Sequence, residues 1–189
     1  MSNPSLFARA AEPLLNLVHK IKPDQLAART PDTEWDVRGL VNHLLIWGPP
    51  MEGAGRKESV TPVPEDTDFT DGDWSALLIA QIERTVAAWG VPASWEGMTY
   101  MASPSELPAE AVGGMGLVEM LAHGWDLSRA IGQDVEWPDD VVLATYEVVA
   151  GMAEMGRDEG IFGPEVVVAE DAPMFHRMLG LTGRDPGWR

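Results

Sequence analysis

Two histidines and one glutamate have the residue types and the spacing of a metal-binding set. Glu119 and His123 lie four residues apart in the segment EMLAHGWD, residues 119–126. Side chains at positions i and i+4 of a helix project from the same face, so this pair can bind one metal ion from one side. His43 is the candidate third ligand, from a second helix. Two histidines and one carboxylate with an open coordination position suit catalytic Zn²⁺, and equally Fe(II) or Ni(II).

The same residues also have an ordinary structural interpretation. A glutamate and a histidine at this spacing occur by chance on many helices, and a histidine among apolar residues is more often a hydrogen-bonded core residue than a ligand. Asp126 follows His123 by three residues. It is a candidate to orient that histidine from behind the metal, or else to pair with Arg129 at i,i+3. The spacing assigns no residue to a catalytic step.

Helical periodicity predicts the elements that must position these side chains. Long helices are expected at about residues 4–21, 37–48, 72–89, 109–131 and 139–156, with a short helical candidate at 173–179. The segment Gly48-Pro49-Pro50 is expected to end the second helix, because proline lacks the backbone N–H that a helix interior uses. Glycines in the first turns of the fourth helix indicate close packing there.

These patterns place the chain in the all-α class. Residues 49–70 and 90–108 are expected to be long connections, the second with a short extended piece near residues 95–101. Four long helices are expected to form a bundle, on which an additional helix and an irregular tail, residues 160–189, pack. The spacing does not show which helix lies outside. Residues 1–189 are expected to form one domain.

The charge and composition exclude several classes of function. The net charge is −17, with 13 Lys+Arg against 30 Asp+Glu, so neither nucleic acid nor an anionic membrane is an expected partner. The chain has no cysteine, which removes thiolate ligands and a cysteine nucleophile. Neither a signal peptide nor an apolar run of membrane-spanning length is evident. A cytoplasmic location is therefore expected.

Two longer segments resemble a known family. WDVRGLVNHL, residues 35–44, is similar to the segment that bears the first metal ligand in the N-terminal domain of mycothiol-dependent maleylpyruvate isomerases, and EMLAHGWDLSRAIG, residues 119–132, is similar to its second ligand segment. That domain belongs to the DinB-like superfamily of four-helix bundles. The tail between Phe162 and Pro186 resembles a short actinobacterial branch of metal-binding proteins. The resemblance covers residues 5–186.

The resemblance implies a divalent metal, usually zinc, held by His43, Glu119 and His123, with an open position for a low-molecular-weight thiol such as mycothiol. Metal binding would deprotonate that thiol, and the absence of cysteine fits a thiol supplied from outside. The implied activity is transfer of the thiol to a small electrophile, or thiol-dependent isomerisation of one. Those isomerases carry a second, C-terminal domain, whereas only about 30 residues follow the last long helix here. Isomerisation of maleylpyruvate itself is therefore less expected than related chemistry.

Two alternatives and several candidate binding residues stay open. The metal centre can serve hydrolysis by a metal-activated water, or the helical domain can be a non-catalytic binding or sensing module. The protein is expected to be a monomer or a homodimer. Candidates for binding the thiol or the substrate are Trp47, Trp125 and Arg38, followed by Met51, Trp95, Met98, Met115, Arg84 and Arg129. Each is equally consistent with a purely structural role.

Overall fold

Helices account for most of the chain, and the first four long ones form a bundle. The computed structural model describes residues 4–189. Its elements are α1 (Pro4–Val18), α2 (Val37–Gly55), α3 (Trp74–Trp89), β1 (Met98–Tyr100), β2 (Glu106–Pro108), α4 (Ala109–Ala130), α5 (Asp139–Asp158) and α6 (Met174–Leu181), with short 3₁₀ helices at Pro23–Gln25 and Pro92–Trp95. The predicted all-α class, with a four-helix bundle, an additional helix and an irregular tail, is therefore confirmed.

The directions of the four bundle helices follow from contacts near their two ends. Gly48 faces Gln81 and Gly55 faces Ala88, so α2 and α3 run parallel, joined by the long connection 56–73. By the same reasoning α1 and α4 are parallel to each other, because Phe7 contacts Gly116 while Leu14 approaches Gly124. His43 meets Glu119 whereas Met51 lies near Gly116, so α2 and α4 are antiparallel. The metal-ligand candidates on α2 and α4 thus face each other across the bundle.

Helix α2 is longer than the sequence predicts. It was expected to end at Gly48, but it continues through Pro49 and Pro50 to Gly55. The two prolines weaken the helix by removing backbone donors. The turns beyond them are nevertheless buried against α3, where the Trp89 indole N–H donates to the Met51 carbonyl oxygen at 2.9 Å. Tertiary packing therefore outweighs the local cost of the prolines, and it places Met51 and Glu52 on a regular helix.

The other boundaries agree more closely with the periodicity. Helix α1 ends at Val18 rather than near residue 21, and α5 extends two residues beyond the expected end, to Asp158. The extended piece expected near residues 95–101 is β1, which pairs antiparallel with β2 in a two-stranded hairpin that the sequence did not predict. The hairpin docks on the bundle through Thr99, whose hydroxyl donates to the Ala54 carbonyl oxygen at the end of α2.

The helix that lies outside the bundle is α5. It packs against α4, and α6 covers its other side. Trp137, just before α5, ties this layer to the bundle because its indole N–H donates to the Ala10 carbonyl oxygen at 2.9 Å. The tail is not loose, since Met178 and Leu179 of α6 are fully buried. Within residues 4–189, no helix is long and apolar enough to cross a membrane.

Glycines in α4 allow aromatic rings to pack directly on its backbone, as the sequence predicts. A Cβ atom at Gly113 would lie 2.5 Å from Cζ3 of Trp95 and 2.8 Å from Cζ3 of Trp89. Both indoles are buried and meet edge to face. Each donates its N–H to a carbonyl oxygen. Neither ring can therefore move away without breaking a hydrogen bond.

We expect Gly113→Ala to lower the free energy of unfolding by at least about 1 kcal/mol, because overpacking two fixed rings costs more than the helix propensity that alanine adds. Gly151→Ala is the matched control. Gly151 is exposed on α5, and a Cβ atom there would meet no other atom within 4 Å, so alanine is expected to stabilise the protein by up to about 1 kcal/mol. Urea unfolding followed by circular dichroism measures both changes, and equal effects at the two sites would contradict the packing argument.

Candidate metal centre

His43, Glu119 and His123 meet at one point of the bundle. Oε2 of Glu119 lies 3.0 Å from Nε2 of His43 and 3.3 Å from Nε2 of His123. The three donor atoms all lie within 4.8 Å of one another. His43 comes from the second turn of α2, whereas the other two residues lie one turn apart on α4. The structure therefore brings together the three residues that the sequence singles out.

Two of the three separations among these atoms are close to those at a tetrahedral metal ion. Ligands about 2.0–2.1 Å from a tetrahedral centre lie about 3.3 Å from one another. The two distances from Glu119 to the histidines match that separation. Both histidines offer Nε2, and the donor set of two imidazoles and one carboxylate suits Zn²⁺, Fe(II) or Ni(II). Such a set leaves a fourth position free for an exogenous ligand.

The ionisation of the three groups is strongly coupled. Burial on its own disfavours charge on Glu119, but the positive charge and hydrogen bonds of His123 and His43 lower its pKa well below the usual range. Burial likewise favours neutral His123, but the charge of Glu119 and hydrogen bonds with Asp126 and Glu119 raise its pKa to about 9. In the metal-free protein His123 is therefore protonated at neutral pH. A metal ion that binds Nε2 must displace that proton.

A buried ion pair holds His123 from behind. Asp126 is fully buried, and its Oδ2 lies 3.2 Å from Nδ1 of His123. Arg184 donates two hydrogen bonds to the same carboxylate, from Nε to Oδ1 at 2.9 Å and from Nη2 to Oδ2 at 2.7 Å. Nη2 also donates to Asp32 at 3.1 Å. Burial opposes ionisation of Asp126, but the hydrogen bonds from His123 and Arg184 lower its pKa.

This network settles which partner Asp126 takes. Of the two predicted roles, the structure supports contact with His123 and contradicts pairing with Arg129. Arg129 instead donates to the Trp188 carbonyl oxygen at 2.9 Å and approaches Asp134 at 3.6 Å. A carboxylate that accepts from the far nitrogen of an imidazole fixes the ring's orientation and tautomer, so Nε2 of His123 is left facing Glu119.

An indole covers the other histidine. The ring of Trp35 stacks on His43 with centroids 4.4 Å apart and lies 5.9 Å from the ring of His123. Trp35 directly precedes Asp36, whose side chain accepts from the Gly39 backbone N–H and caps α2. The start of α2 is thereby fixed relative to the imidazole about two turns further along, and the stacked indole restricts rotation of His43.

Two cavities meet at His43 and Glu119. The apolar cavity has a volume of about 240 Å³ and runs down the inside of the bundle. The polar cavity, about 490 Å³, lies on the side of the tail and also reaches His123. The apolar cavity is lined chiefly by Leu44, Trp47, Met51, Leu78, Ile82, Met101, Met115 and Met120. The polar cavity is lined chiefly by Asp32, Glu34, Trp35, Phe162, Thr182 and Arg184. Ile161, half-exposed, borders both.

Several predicted binding residues lie elsewhere. Trp125 is buried on another face of α4, where it borders a separate cavity beside α5 and α6; it follows His123 by two residues and so points about 200° away. Arg38 pairs with Asp68 at 3.0 Å and Arg84 with Glu52 at 3.1 Å, and neither lines a cavity at the centre. Among the candidates only Trp47, Met51 and Met115 line the apolar cavity.

The remaining three candidates, Trp95, Met98 and Arg129, line neither cavity at the centre. Trp95 is buried against Phe7 and Trp89 in the core, and Met98 is exposed on the hairpin.

Sequence reasoning missed the contribution of the tail. Arg184 and Asp32 are 152 residues apart in the chain yet form an ion pair beside the centre. No helical spacing relates them, since both lie in irregular segments. The available signal was that a buried carboxylate at Asp126 requires a cation, and that signal does not identify which arginine supplies it.

The fold and site define a DinB-like helical bundle with a two-histidine, one-glutamate cluster. The model of the mycothiol maleylpyruvate isomerase N-terminal domain matches residues 7–128. The chain therefore belongs to the mycothiol maleylpyruvate isomerase N-terminal domain family. It is also 26% identical over 165 residues to uncharacterized proteins of two strains of Mycobacterium tuberculosis, a match that covers 87% of this chain and 85% of theirs.

Two solved structures share the fold. The crystal structure of a mycothiol-dependent maleylpyruvate isomerase matches with a TM-score of 0.67 and 12% identity, over 98% of this chain and 89% of that one. A crystal structure of a histidine-to-alanine mutant of such an isomerase matches with a TM-score of 0.59 and 13% identity, over 79% of this chain and 67% of that one.

We expect Arg184→Ala to lower the free energy of unfolding by about 3 kcal/mol or more, because it leaves the Asp126 carboxylate buried without its cation. Arg157→Ala is the control, since Arg157 meets Glu165 at 3.7 Å in a half-exposed pair that is worth about 0–1 kcal/mol. Urea unfolding of both variants, with metal removed, measures the difference. A loss as small as that of the control would show that the Asp126 ion pair contributes little.

Proposed function

We propose that His43, Glu119 and His123 hold a divalent metal ion and that the protein is a metal-dependent enzyme acting with a low-molecular-weight thiol of the mycothiol type. The observation that carries the proposal is the convergence of three donor atoms, all within 4.8 Å of one another, at the junction of two cavities. Zn²⁺ is the first candidate, and Ni²⁺ or Fe²⁺ are the alternatives. Asp126 is proposed to orient His123, without taking part in the reaction itself.

The metal would supply one kind of chemistry, lowering the pKa of a thiol that binds at the open position so that a thiolate attacks at neutral pH. The chain's residues supply the rest. Trp35 and Asp126 hold the two imidazoles, so that their Nε2 atoms converge. The walls of the two cavities hold the reactants on either side. No cysteine of the chain competes for the metal.

The two cavities would bind different reactants. The polar cavity offers hydroxyl, carboxylate and backbone groups, which suit the polar body of the thiol. The apolar cavity offers Trp47 and several methionines, which suit the carbon skeleton of an electrophile. The thiol sulfur and the electrophilic carbon would then meet beside Glu119, where both cavities open. Transfer forms a sulfur–carbon bond, and isomerisation forms and later breaks one.

Thiol-dependent isomerisation gains support from the comparisons. The family model is that of an isomerase domain, and this chain covers 89% of one crystallised isomerase. The short tail had suggested that a second domain is missing and that maleylpyruvate is therefore a less expected substrate. The coverage of 89% weakens that argument. Transfer to an electrophile remains equally consistent with the geometry, because both reactions begin with the same attack. Hydrolysis by a metal-activated water and a non-catalytic binding role are the alternatives that metal analysis and turnover assays separate.

We expect the purified protein to contain about one metal ion per chain, and His43→Ala, His123→Ala and Glu119→Gln to lose most of it, because each removes one of only three protein ligands. His19→Ala and His176→Ala are the controls, since neither residue lies at the centre. Elemental analysis by mass spectrometry reports the metal identity and content. Unchanged metal content in all three variants would reject the ligand set.

We expect the metal-loaded protein to accelerate conjugation of mycothiol with 1-chloro-2,4-dinitrobenzene, in which the thiolate sulfur bonds to the ring carbon and chloride leaves. Chelation of the metal or the His123→Ala substitution should reduce the rate to that of the uncatalysed reaction, because the thiol then keeps its ordinary pKa. Absorbance of the thioether measures the rate, and maleylpyruvate is tested in parallel. Turnover of p-nitrophenyl acetate without any thiol would instead favour hydrolysis.

A further inference from the structure

We propose that the apolar cavity selects a neutral, apolar electrophile and discriminates against one that carries a carboxylate. This inference rests on the proposed function and specifies its substrate class. The cavity follows α2 from His43 to Met51, a length of about 12 Å at 1.5 Å per residue. Its exposed inner surface is overwhelmingly carbon and sulfur.

No lysine or arginine lines this cavity in the part of the chain that the structure describes. Arg84, which donates to the wall residue Gln81, is already paired with Glu52. Glu52 is buried on α2, where it accepts from Arg84 at 3.1 Å and pairs with Arg56 at 2.7 Å. A ligand in the cavity would therefore meet no positive side chain that could bind a carboxylate.

The polar side chains in the wall are also occupied. The Gln81 amide nitrogen donates to Glu52 at 3.0 Å, and its oxygen accepts from Arg84. The Thr85 hydroxyl donates to the Gln81 carbonyl oxygen at 3.0 Å. Because these groups satisfy one another, they present little unmet hydrogen-bonding capacity to a ligand. Binding in this cavity therefore gains free energy mainly from burial of the ligand's apolar surface.

Charge balance at the mouth of the cavity gives the same preference. A divalent ion with the Glu119 carboxylate and two neutral imidazoles carries one net positive charge. It can balance one anionic group, which the thiolate already provides. Arg184, on the polar side, faces both Asp126 and Asp32. A substrate with two carboxylates would place uncompensated charge against an apolar wall, which is unfavourable.

The test compares two probes that differ by one charge. The neutral probe is 4-phenylbut-3-en-2-one, and the charged probe is its 4-carboxyphenyl analogue. In both, the thiol S–H adds across the alkene, with sulfur bonding to the β carbon and the proton passing to the α carbon. Rates with mycothiol are divided by the uncatalysed rate for each probe. Dissociation constants are measured separately, by calorimetry on the metal-loaded protein in the presence of mycothiol, with the unreactive saturated ketone analogue of each probe.

We expect the neutral probe to be favoured by roughly tenfold or more in both affinity and normalised kcat/KM, since the charged probe must lose hydration without gaining a partner. Met101→Trp should weaken binding of the neutral probe by a similar factor, because Met101 lines the cavity and is half-buried. Met98→Trp is the matched control, since Met98 lies three residues earlier on the exposed side of the same hairpin. If Met101→Trp does not fold, Met115→Phe fills the same cavity from α4.

A gain of function provides a second readout. Met101→Lys places a cation in the cavity wall and should improve binding of the charged probe, whereas Met98→Lys should not. Selective binding of the neutral probe without any conjugation would reject the proposed thiol chemistry and support the selectivity of the cavity. Equal or better binding of the charged probe, or indifference to both Met101 substitutions, would overturn the inference.

Discussion

The contact of one carboxylate with two imidazoles constrains how the helices of this protein pack. Glu119 must reach His43 on α2 and His123 on its own helix at once, so the spacing and rotation of α2 against α4 are tightly restricted. Three negatively charged groups, Glu119, Asp126 and Asp32, cluster around this point. Arg184 compensates part of this negative charge, because it pairs with both Asp126 and Asp32. The tail, α6 and the irregular segments that carry Arg184 and Asp32 can be understood as the support that such a concentration of charge requires.

The sequence predicted the parts of the fold that depend on periodicity. The six helices and the pairing of Glu119 with His123 follow from local spacing. His43 was a candidate third ligand from its place on a second helix, and the resemblance implied the same set of three. The end of α2 was predicted wrongly because distant contacts override local preference there. Pro49 and Pro50 did not end α2, because Met51 is anchored to Trp89 on another helix. Trp125 and Arg38 are not at the centre, because a helical phase known only approximately cannot tell which face meets which cavity.

The arrangement of the two cavities explains why membership of the family does not by itself determine the reaction. The metal-ligand candidates lie where an apolar cavity meets a cavity with both polar and apolar walls, so the same cluster can serve different substrates when the walls change. The fold shared with crystallised isomerases fixes the positions of the helices, at 12% identity in one case and 13% in the other. The apolar cavity is lined largely by residues of α2, α3 and α4. A change in that lining would alter what the cavity accepts without altering the three candidate ligands.

The glycines of α4 have a consequence for how the centre comes into being. Gly113, Gly116 and Gly124 each accept an aromatic ring against bare backbone, and each also weakens the helix that contains it. An isolated peptide with this sequence would be largely coil in water, and Glu119 and His123 would then share no face. The convergence of their donor atoms thus depends on the packing of Phe7, Trp95 and Trp137 around the segment. Preorganisation of the centre is a property of the finished bundle rather than of the motif.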